Sequence, residues 1–494
     1  MVHTSDKGDE VSSQPSASDE GGSVTQTLPL PEKLAAMSPE DLKKLAKRAT
    51  LKMDLAVMPM LVIMSILNFL DRQNLASARL AGLESDLGLS EVEYQTAVSI
   101  LFVGYILTQV PSNMMVEKIP LPAVYICLGF ALWGVIAALI ATVNTPAELI
   151  VARFFLGAVE SVLFPGSIYL LSLFYNKKQL ALRTAVLYSG SQLGNAFGGV
   201  FAIGVLRLDG AFDMAGWRWL FVVEGVLTTS LAIAFALLLP NSNKAIIGLD
   251  PLEHEWIRWN YAAEHSTSPV EDLEVSAWQG LLMACADIKT WMIIGVFYCT
   301  CIVGAVVNFF PSVVGGLGYD RNTTYLLTAP PFILCVFVML INGWHSDRNQ
   351  ERYLHVACPL IVTLVANVIA VSTLSVPARY VAMTLVPGGV YGSAAVTLSW
   401  ITNTLNQPRA KRAAAIALIN AVCNTPNIWC AYLYSNAPRY LPAFIVNIAA
   451  AGLAVVFATV THIHLRRQNA KLDKGEAAGK HGPTPSQISG GFRR

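Results

Sequence analysis

Phe69-Leu-Asp-Arg-Gln-Asn-Leu-Ala-Ser-Ala-Arg-Leu80 decides how this chain is read. An apolar run from Leu55 to Leu70 leads into it, and small or apolar residues continue to Ala78. A helix rising about 1.5 Å per residue needs about 20 residues to cross hydrocarbon, so the run to Leu70 is short. The span therefore takes in Asp71, Arg72 and Asn74. An ionisable residue inside such a helix is costly unless it faces a partner or a wet cavity. Sequence neighbours do not face each other on a helix, so Asp71 does not neutralise Arg72 and each needs a partner elsewhere. A second apolar segment offers Arg153 and Glu160, seven residues apart and on roughly one face. These charges form either a structural tie between helices or a substrate and proton site. Charges inside a membrane favour the second.

Composition extends the reading to the whole chain. Apolar residues make up 54% of its 494 residues and charged ones 14%, against ~25% in soluble domains. Mean hydropathy is +0.50. Repeated long apolar runs override the soluble domains that length alone would allow. A net charge of +1 supplies no basic face for nucleic acid. The eight cysteines fall mostly inside apolar runs, and Cys299-Thr-Cys301 has no second Cys or His pair at zinc spacing, so they read as small core residues. His462 and His464 stand two apart, on different helix faces, which disfavours a metal pair. No G-x-x-x-x-G-K-[ST] motif supports ATP-driven transport.

The fold expected is all-α and integral to the membrane: twelve transmembrane helices in two six-helix halves. The first six lie near 55–78, 93–116, 122–141, 148–172, 184–205 and 218–240, the second six near 291–313, 323–343, 354–376, 380–404, 413–434 and 442–465. The domain plan is a cytosolic N-terminal tail with a short amphipathic helix (1–52), the first half (53–240), a cytosolic linker (241–289), the second half (290–465) and a cytosolic C-terminal tail (466–494). Residues 1–30 are rich in Ser, Gly, Asp and Glu without an apolar h-region, a disordered tail and not a signal peptide. Ser38-Pro-Glu-Asp41 reads as a helix start, and the basic run Lys43, Lys44, Lys47, Arg48 and Lys52 as a membrane-surface segment. Even-numbered turns carry Lys118, Lys177, Lys178, Arg183, Arg348, Arg352, Arg409, Lys411 and Arg412, whereas odd-numbered turns carry single arginines. That asymmetry puts both termini in the cytosol. It puts the sequon Asn322-Thr-Thr324 outside, marking Asn322 as a glycosylation candidate.

Between spans eight and nine lies Gly343-Trp-His-Ser-Asp347-Arg348. This G-x-x-x-D-R pattern resembles the loop motif of the major facilitator superfamily, and Asn113–Pro122 is an eroded first-half counterpart. A closer resemblance is to the anion:cation symporter family, in its fungal allantoate, nicotinate and pantothenate permease-like branch. Four stretches carry it: Phe69-Leu-Asp-Arg-Gln-Asn74; Arg153-Phe-Phe-Leu-Gly157 with Glu160 and Phe164-Pro-Gly166; Gly216-Trp-Arg-Trp-Leu-Phe221 with Glu224-Gly225; and Lys411-Arg412 through Asn436-Ala-Pro-Arg-Tyr440. The resemblance covers about residues 50–465.

It implies that Asp71, Arg153 and Glu160 couple protons and that Arg72 holds a substrate carboxylate. A guanidinium fork fits a carboxylate bidentately. Glu160 would pair with Arg72 when the site is empty and yield on protonation, while Asp71 and Arg153 would form a second pair. Gln192 matches a span-five substrate contact of related transporters. Asn74, Asn308, Asn403 and Asn424 are further lining candidates, and Asn420, Asn424 and Asn427 make a helical stripe that would serve equally as interhelical glue. Gly190, Gly194, Gly198 and Gly199 suggest close helix packing. Pro330-Pro331 and Pro426 would break or kink their helices. Gly343, Asp347 and Arg348 read as a gating loop. Tyr105 and Tyr188 could contact a ring.

The leading functional expectation is proton-coupled uptake of a small organic anion, such as a nicotinate-, pantothenate- or allantoate-like carboxylate, by a monomeric plasma-membrane carrier. It needs no cofactor beyond the coupling proton, and its partners are the anion and the lipid bilayer. The alternatives are export of a secondary metabolite and a non-transporting nutrient receptor. No nucleophile–base or metal arrangement suggests an enzyme.

Overall fold

The computed structural model describes residues 29–116, 119–175, 177–241, 248–266, 276–349, 351–405, 409–435 and 439–473. Most of both tails, Lys118, Asn436–Pro438 and the side chain of Asn403 lie outside them. Among the described residues all regular structure is helical. Spans one to six are Pro39–Leu80, Glu91–Val116, Pro122–Ile140, Pro146–Glu160 continued by Leu163–Phe174, Lys177–Val205 and Gly216–Leu238. Spans seven to twelve are Ile288–Gly315, Arg321–Asn349, Tyr353–Ser372, Val376–Thr404, Lys411–Leu433 and Leu441–Asp473. Nine are long and apolar enough to cross a membrane over their described residues, and spans two, four and five complete the twelve. An even number of crossings puts both termini on one side, here called the terminal face; the other is the distal face.

Burial runs opposite to that of a water-soluble protein. Leu128, Leu132 and Leu139 of span three, Leu237 of span six and Phe337 and Ile341 of span eight are exposed, whereas Asn68, Asp71, Glu160 and Glu224 are buried. Lipid takes the apolar outside, and the polar groups must be satisfied within the bundle.

Span one begins where Ser38 predicts: its hydroxyl accepts from the Asp41 N–H at 3.2 Å and Pro39 opens the helix. The helix then runs unbroken to Leu80, so the expected division at residue 52 falls inside it. A change from basic to apolar residues marks a membrane surface, not a helix end, because nothing there competes with the backbone ladder. Span four, expected whole, breaks at Ser161 and Val162, immediately after the site residue Glu160.

The prolines behave differently from one another. Span eleven breaks at Thr425, next to Pro426, but span eight stays helical through Pro330 and Pro331. The Leu327 carbonyl, which Pro331 leaves without its helical donor, accepts the Tyr380 hydroxyl at 3.0 Å. In span nine, Pro359 likewise frees the His355 carbonyl, and Asn342 donates to it at 2.8 Å. Neighbouring side chains thus satisfy what the prolines expose, and the helices persist.

Glycines set the closest approaches. Gly190, Gly194 and Gly198 of span five lie against Val62, Ile66 and Gln73 of span one. Gly199 turns instead to span eight, where a β-carbon would collide with the Tyr325 carbonyl and Thr328. This contact crosses between the halves, which meet at the distal face through several others. Phe309, stacked on Tyr434 at 4.6 Å within the second half, meets the edge of Tyr94 of the first at 6.3 Å. Tyr325 donates to the Ser77 carbonyl at 2.8 Å, Gln73 to the Val307 carbonyl at 3.0 Å, and the Tyr432 and Thr96 hydroxyls are 3.1 Å apart. The distal face is therefore closed.

At the terminal face the linker helix Pro251–Ser266 docks on span one. Lys52 Nζ donates to Glu253 Oε2 at 2.7 Å, and Arg48 Nε lies 3.0 Å from Oε1. Burial pushes the Glu253 carboxyl up, but the Lys52 hydrogen bond, the Asp250 N–H and the two cations outweigh it and hold the group below its ordinary value.

Candidate functional site

Spans one and four bring four charges together in the first half. Arg72 Nε donates to Glu160 Oε1 at 2.6 Å, and Asn68 Nδ2 donates to the same oxygen at 2.7 Å. Asn68 precedes Arg72 by one helical turn, so both approach Glu160 from one face. Around the guanidinium, the rings of Phe69, Phe102 and Tyr105 have centroids 5.0, 5.3 and 5.6 Å from its central carbon. Such rings favour a cation while offering no competing carboxylate. The Arg72 side chain is 15% exposed and that of Glu160 1%. The base is therefore the accessible member of the pair. Beside Glu160, a void of about 10 Å³ bounded by Phe130, Trp133 and Leu163 has roughly the size of one water.

Asp71 and Arg153 form the looser second pair. Arg153 Nη1 lies 3.9 Å from Asp71 Oδ2, beyond hydrogen-bond distance, and Trp133 Nε1 donates to that oxygen at 3.3 Å. Arg153 Nε reaches the Ala97 carbonyl at 3.4 Å. Asp71 has no exposed surface. Coulomb attraction inside the bundle holds such a pair, and each charge is stranded if the other leaves.

Asn74, a lining candidate by sequence, is buried and donates to Glu224 of span six. The correction is geometric: on this turn of span one, Asn74 points at span six. Gln192 sits at the junction of the halves, with Cys335 Sγ of span eight 3.7 Å from its Oε1 and Tyr391 of span ten nearby. Tyr391 also lies near Arg72. Asn308 Nδ2 donates to Asn427 Oδ1 at 3.1 Å, Asn427 to the Asn424 carbonyl at 3.3 Å, and Asn424 to the Asn420 carbonyl at 2.8 Å. The stripe thus ties span eleven to span seven, and Asn424 bonds within its own helix. Tyr188 stacks on Phe164 at 5.3 Å.

Gly343, Asp347 and Arg348 are not in a loop. They belong to the last turns of span eight, because no helix breaker intervenes before Asn349. Asp347 Oδ1 meets Arg352 Nη1 at 2.6 Å across the following turn, and Arg348 lies over the Trp344 ring. Asn322 is exposed in the first turn of span eight, whose Thr323 N–H donates to Asp320 at 3.1 Å.

Asn68 and Trp133 join the site from outside the sequence motifs, and Glu224, part of a family stretch, joins it with no role that the sequence assigns. Glu224 carries the clearest signal. It is a carboxylate in the middle of an apolar span, and the rule that selects Asp71 selects it equally.

Comparison with known proteins supports this architecture. The chain is 27% identical to the high-affinity nicotinic acid transporter of Saccharomyces cerevisiae, over 90% of this chain and 83% of that one. It is 30% identical to the MFS-type transporter cnsO of Penicillium expansum, over 88% and 87% of the two chains. Among solved structures, a bacterial homologue of the human lysosomal transporter Spinster superposes with a TM-score of 0.62 at 13% identity, covering 83% of this chain and 96% of that one. The sequence profile of the Major Facilitator Superfamily matches residues 61–429, and the chain belongs to that family.

Proposed function

We propose that this transporter takes up a small organic carboxylate together with a proton. The observation that carries the reading is the 2.6 Å contact of Arg72 with Glu160, in which a partly open guanidinium is held by a buried carboxylate. A substrate carboxylate is the natural competitor for that guanidinium. Protonating Glu160 removes its claim on Arg72, and the anion then binds bidentately; the returning empty carrier restores the pair. Proton and anion thereby strengthen each other's binding, the reciprocity that coupling requires. Adding one carboxylate and one proton leaves the charge of the site unchanged, so the loaded carrier reorients without moving net charge.

The nicotinic acid transporter among the relatives supports a nicotinate-like monocarboxylate as the first substrate to try. The bias of Lys and Arg supports a cytosolic terminal face, with the sealed distal face outside. In a fungal host the plasma membrane is the corresponding location. Alternating access follows from two halves rocking about a midplane site.

Uptake of radiolabelled nicotinate, pantothenate and allantoate, measured at acidic and neutral pH in yeast lacking related permeases, tests the reading. Acid-stimulated accumulation that is absent with Arg72→Ala is the expected result. Surface-expressed protein that accumulates none of them, but speeds their efflux from preloaded cells, would reverse the direction assigned.

A further inference from the structure

Span six brings a third carboxylate, Glu224, to a site whose two ion pairs are already complete. It has no exposed surface and receives one hydrogen bond, from Asn74 Nδ2 to Oε2. Its Oε1, the Oδ1 of Asp71 and the Oδ1 of Asn74 are buried acceptors without a donor. Asn74, which holds Glu224, follows Asp71 by three residues on one face of span one, so the two carboxyls are neighbours. Against these three acceptors stands one unpartnered donor, Arg153 Nη1, 3.9 Å from Asp71 Oδ2, so acceptors outnumber donors in the pocket.

The groups facing Glu224 can be counted by element. Span one contributes Asp71, Arg72 and Asn74, span three Trp133, and span four Arg153 and Glu160; Tyr94 of span two approaches Arg153. Span five, also packed on span six, has no charged residue or histidine between Thr184 and Val205. Two guanidiniums thus stand against three carboxyls. Arg72 is committed to Glu160 at 2.6 Å and Arg153 to Asp71 at 3.9 Å, and among the described residues no cation stands within ion-pair distance of Glu224. A buried carboxylate without a cation takes up a proton instead of staying ionised.

We propose that Glu224 and Asp71 hold one proton between them, a proton-binding site separate from Glu160. A hydrogen shared between Glu224 Oε1 and Asp71 Oδ1 gives both oxygens a partner and brings three carboxyls and two guanidiniums to neutrality. The empty carrier then already contains a proton. Resting on the proton-coupled reading, this makes the proton accepted at Glu160 the second one aboard. The resident proton also governs the looser pair, because its movement toward Asp71 releases Arg153.

Infrared difference spectroscopy of the full chain in lipid vesicles, without substrate, tests this at neutral pH. The carboxylic-acid C=O stretch, identified by its shift in heavy water, counts protonated buried carboxyls. Glu224→Gln, an isosteric change, is expected to abolish one such band. Asp71→Asn should abolish it too, since two carboxylates then balance two guanidiniums. Arg153→Gln should raise its amplitude about twofold, because a second carboxyl loses its cation. A band that survives Glu224→Gln overturns the proposal. A band that survives Asp71→Asn places the proton on Glu224 alone and overturns the sharing. Should Asp71→Asn yield no folded protein, Asp71→Glu must keep the band at a changed frequency, and an unchanged band overturns the sharing equally. The spectra need no transport, so failed uptake would remove the transport reading without touching this result.

Discussion

The two halves share a plan and divide the chemistry unequally. In the first half, Asp71, Arg72, Arg153, Glu160 and Glu224 are buried or nearly so at mid-span. In the second, Asp, Glu, Lys and Arg keep to the ends of spans seven to twelve, and the polar groups at mid-span are neutral ones such as Asn308, Tyr391, Asn424 and Asn427. Charge buried in one body travels with that body and needs no new desolvation when the halves rock. A neutral amide wall can slide past it at the cost of a few hydrogen bonds, each worth about 1 kcal/mol. The first half is therefore built to hold charge, and the second to close over it.

The largest break in this contrast should come from Arg72→Lys. Lysine keeps the charge but loses the planar fork, and uptake of whichever carboxylate the transport assay identifies should fall about a hundredfold or more. Near-normal uptake would remove bidentate capture. Glu160→Gln comes next. It keeps an acceptor for Arg72 and Asn68 and removes the titrating group. In proteoliposomes, accumulation driven by a pH gradient should vanish while substrate-for-substrate exchange continues; loss of both would take the coupling role from Glu160.

Asn308→Ala sharpens the contrast from the other side. Removing one neutral hydrogen bond should raise KM about two- to tenfold and leave the accumulation ratio unchanged. A lowered ratio would bring the second half into coupling. The smallest effect belongs to Glu253→Gln, far from the site. Losing the charged bond to Lys52 should loosen the linker helix by about 1–2 kcal/mol, read as about tenfold faster amide exchange over residues 251–266. The sign of its pH dependence follows from the Glu253 carboxyl being held below its ordinary value. The stabilisation is complete above the unfolded value, about 4.3, and is lost as pH falls through the folded one. Exchange in the wild type should therefore quicken only in acid.

Much of this architecture is legible without coordinates. Long apolar runs give the crossings, and the cost of intramembrane charge singles out Asp71, Arg72, Arg153 and Glu160. Which acid meets which base is a different matter. Spacing puts Arg153 and Glu160 on one face but cannot choose between the two pairings, and the resemblance to the symporters supplied that choice. Glu224 stands inside a stretch that also marks the family, and a family marker carries no role by itself. The direction of Asn74 depends on the rotation of span one against span six, set by packing that no local pattern encodes. Pro330 and Pro331 predict a break or a kink; the helix does not break, and what holds it sits about fifty residues away in the hydroxyl of Tyr380.

Gly199 has a consequence of another kind. It lets span five touch the Tyr325 backbone of span eight on the sealed side, and a single added methyl would act there as a wedge. Gly199→Ala touches neither charge nor substrate, yet it would change how long the binding site dwells facing each compartment. The gradients would still fix the final concentration ratio, since a wedge performs no work over a full cycle. One methyl would set the tempo of transport and leave its destination alone.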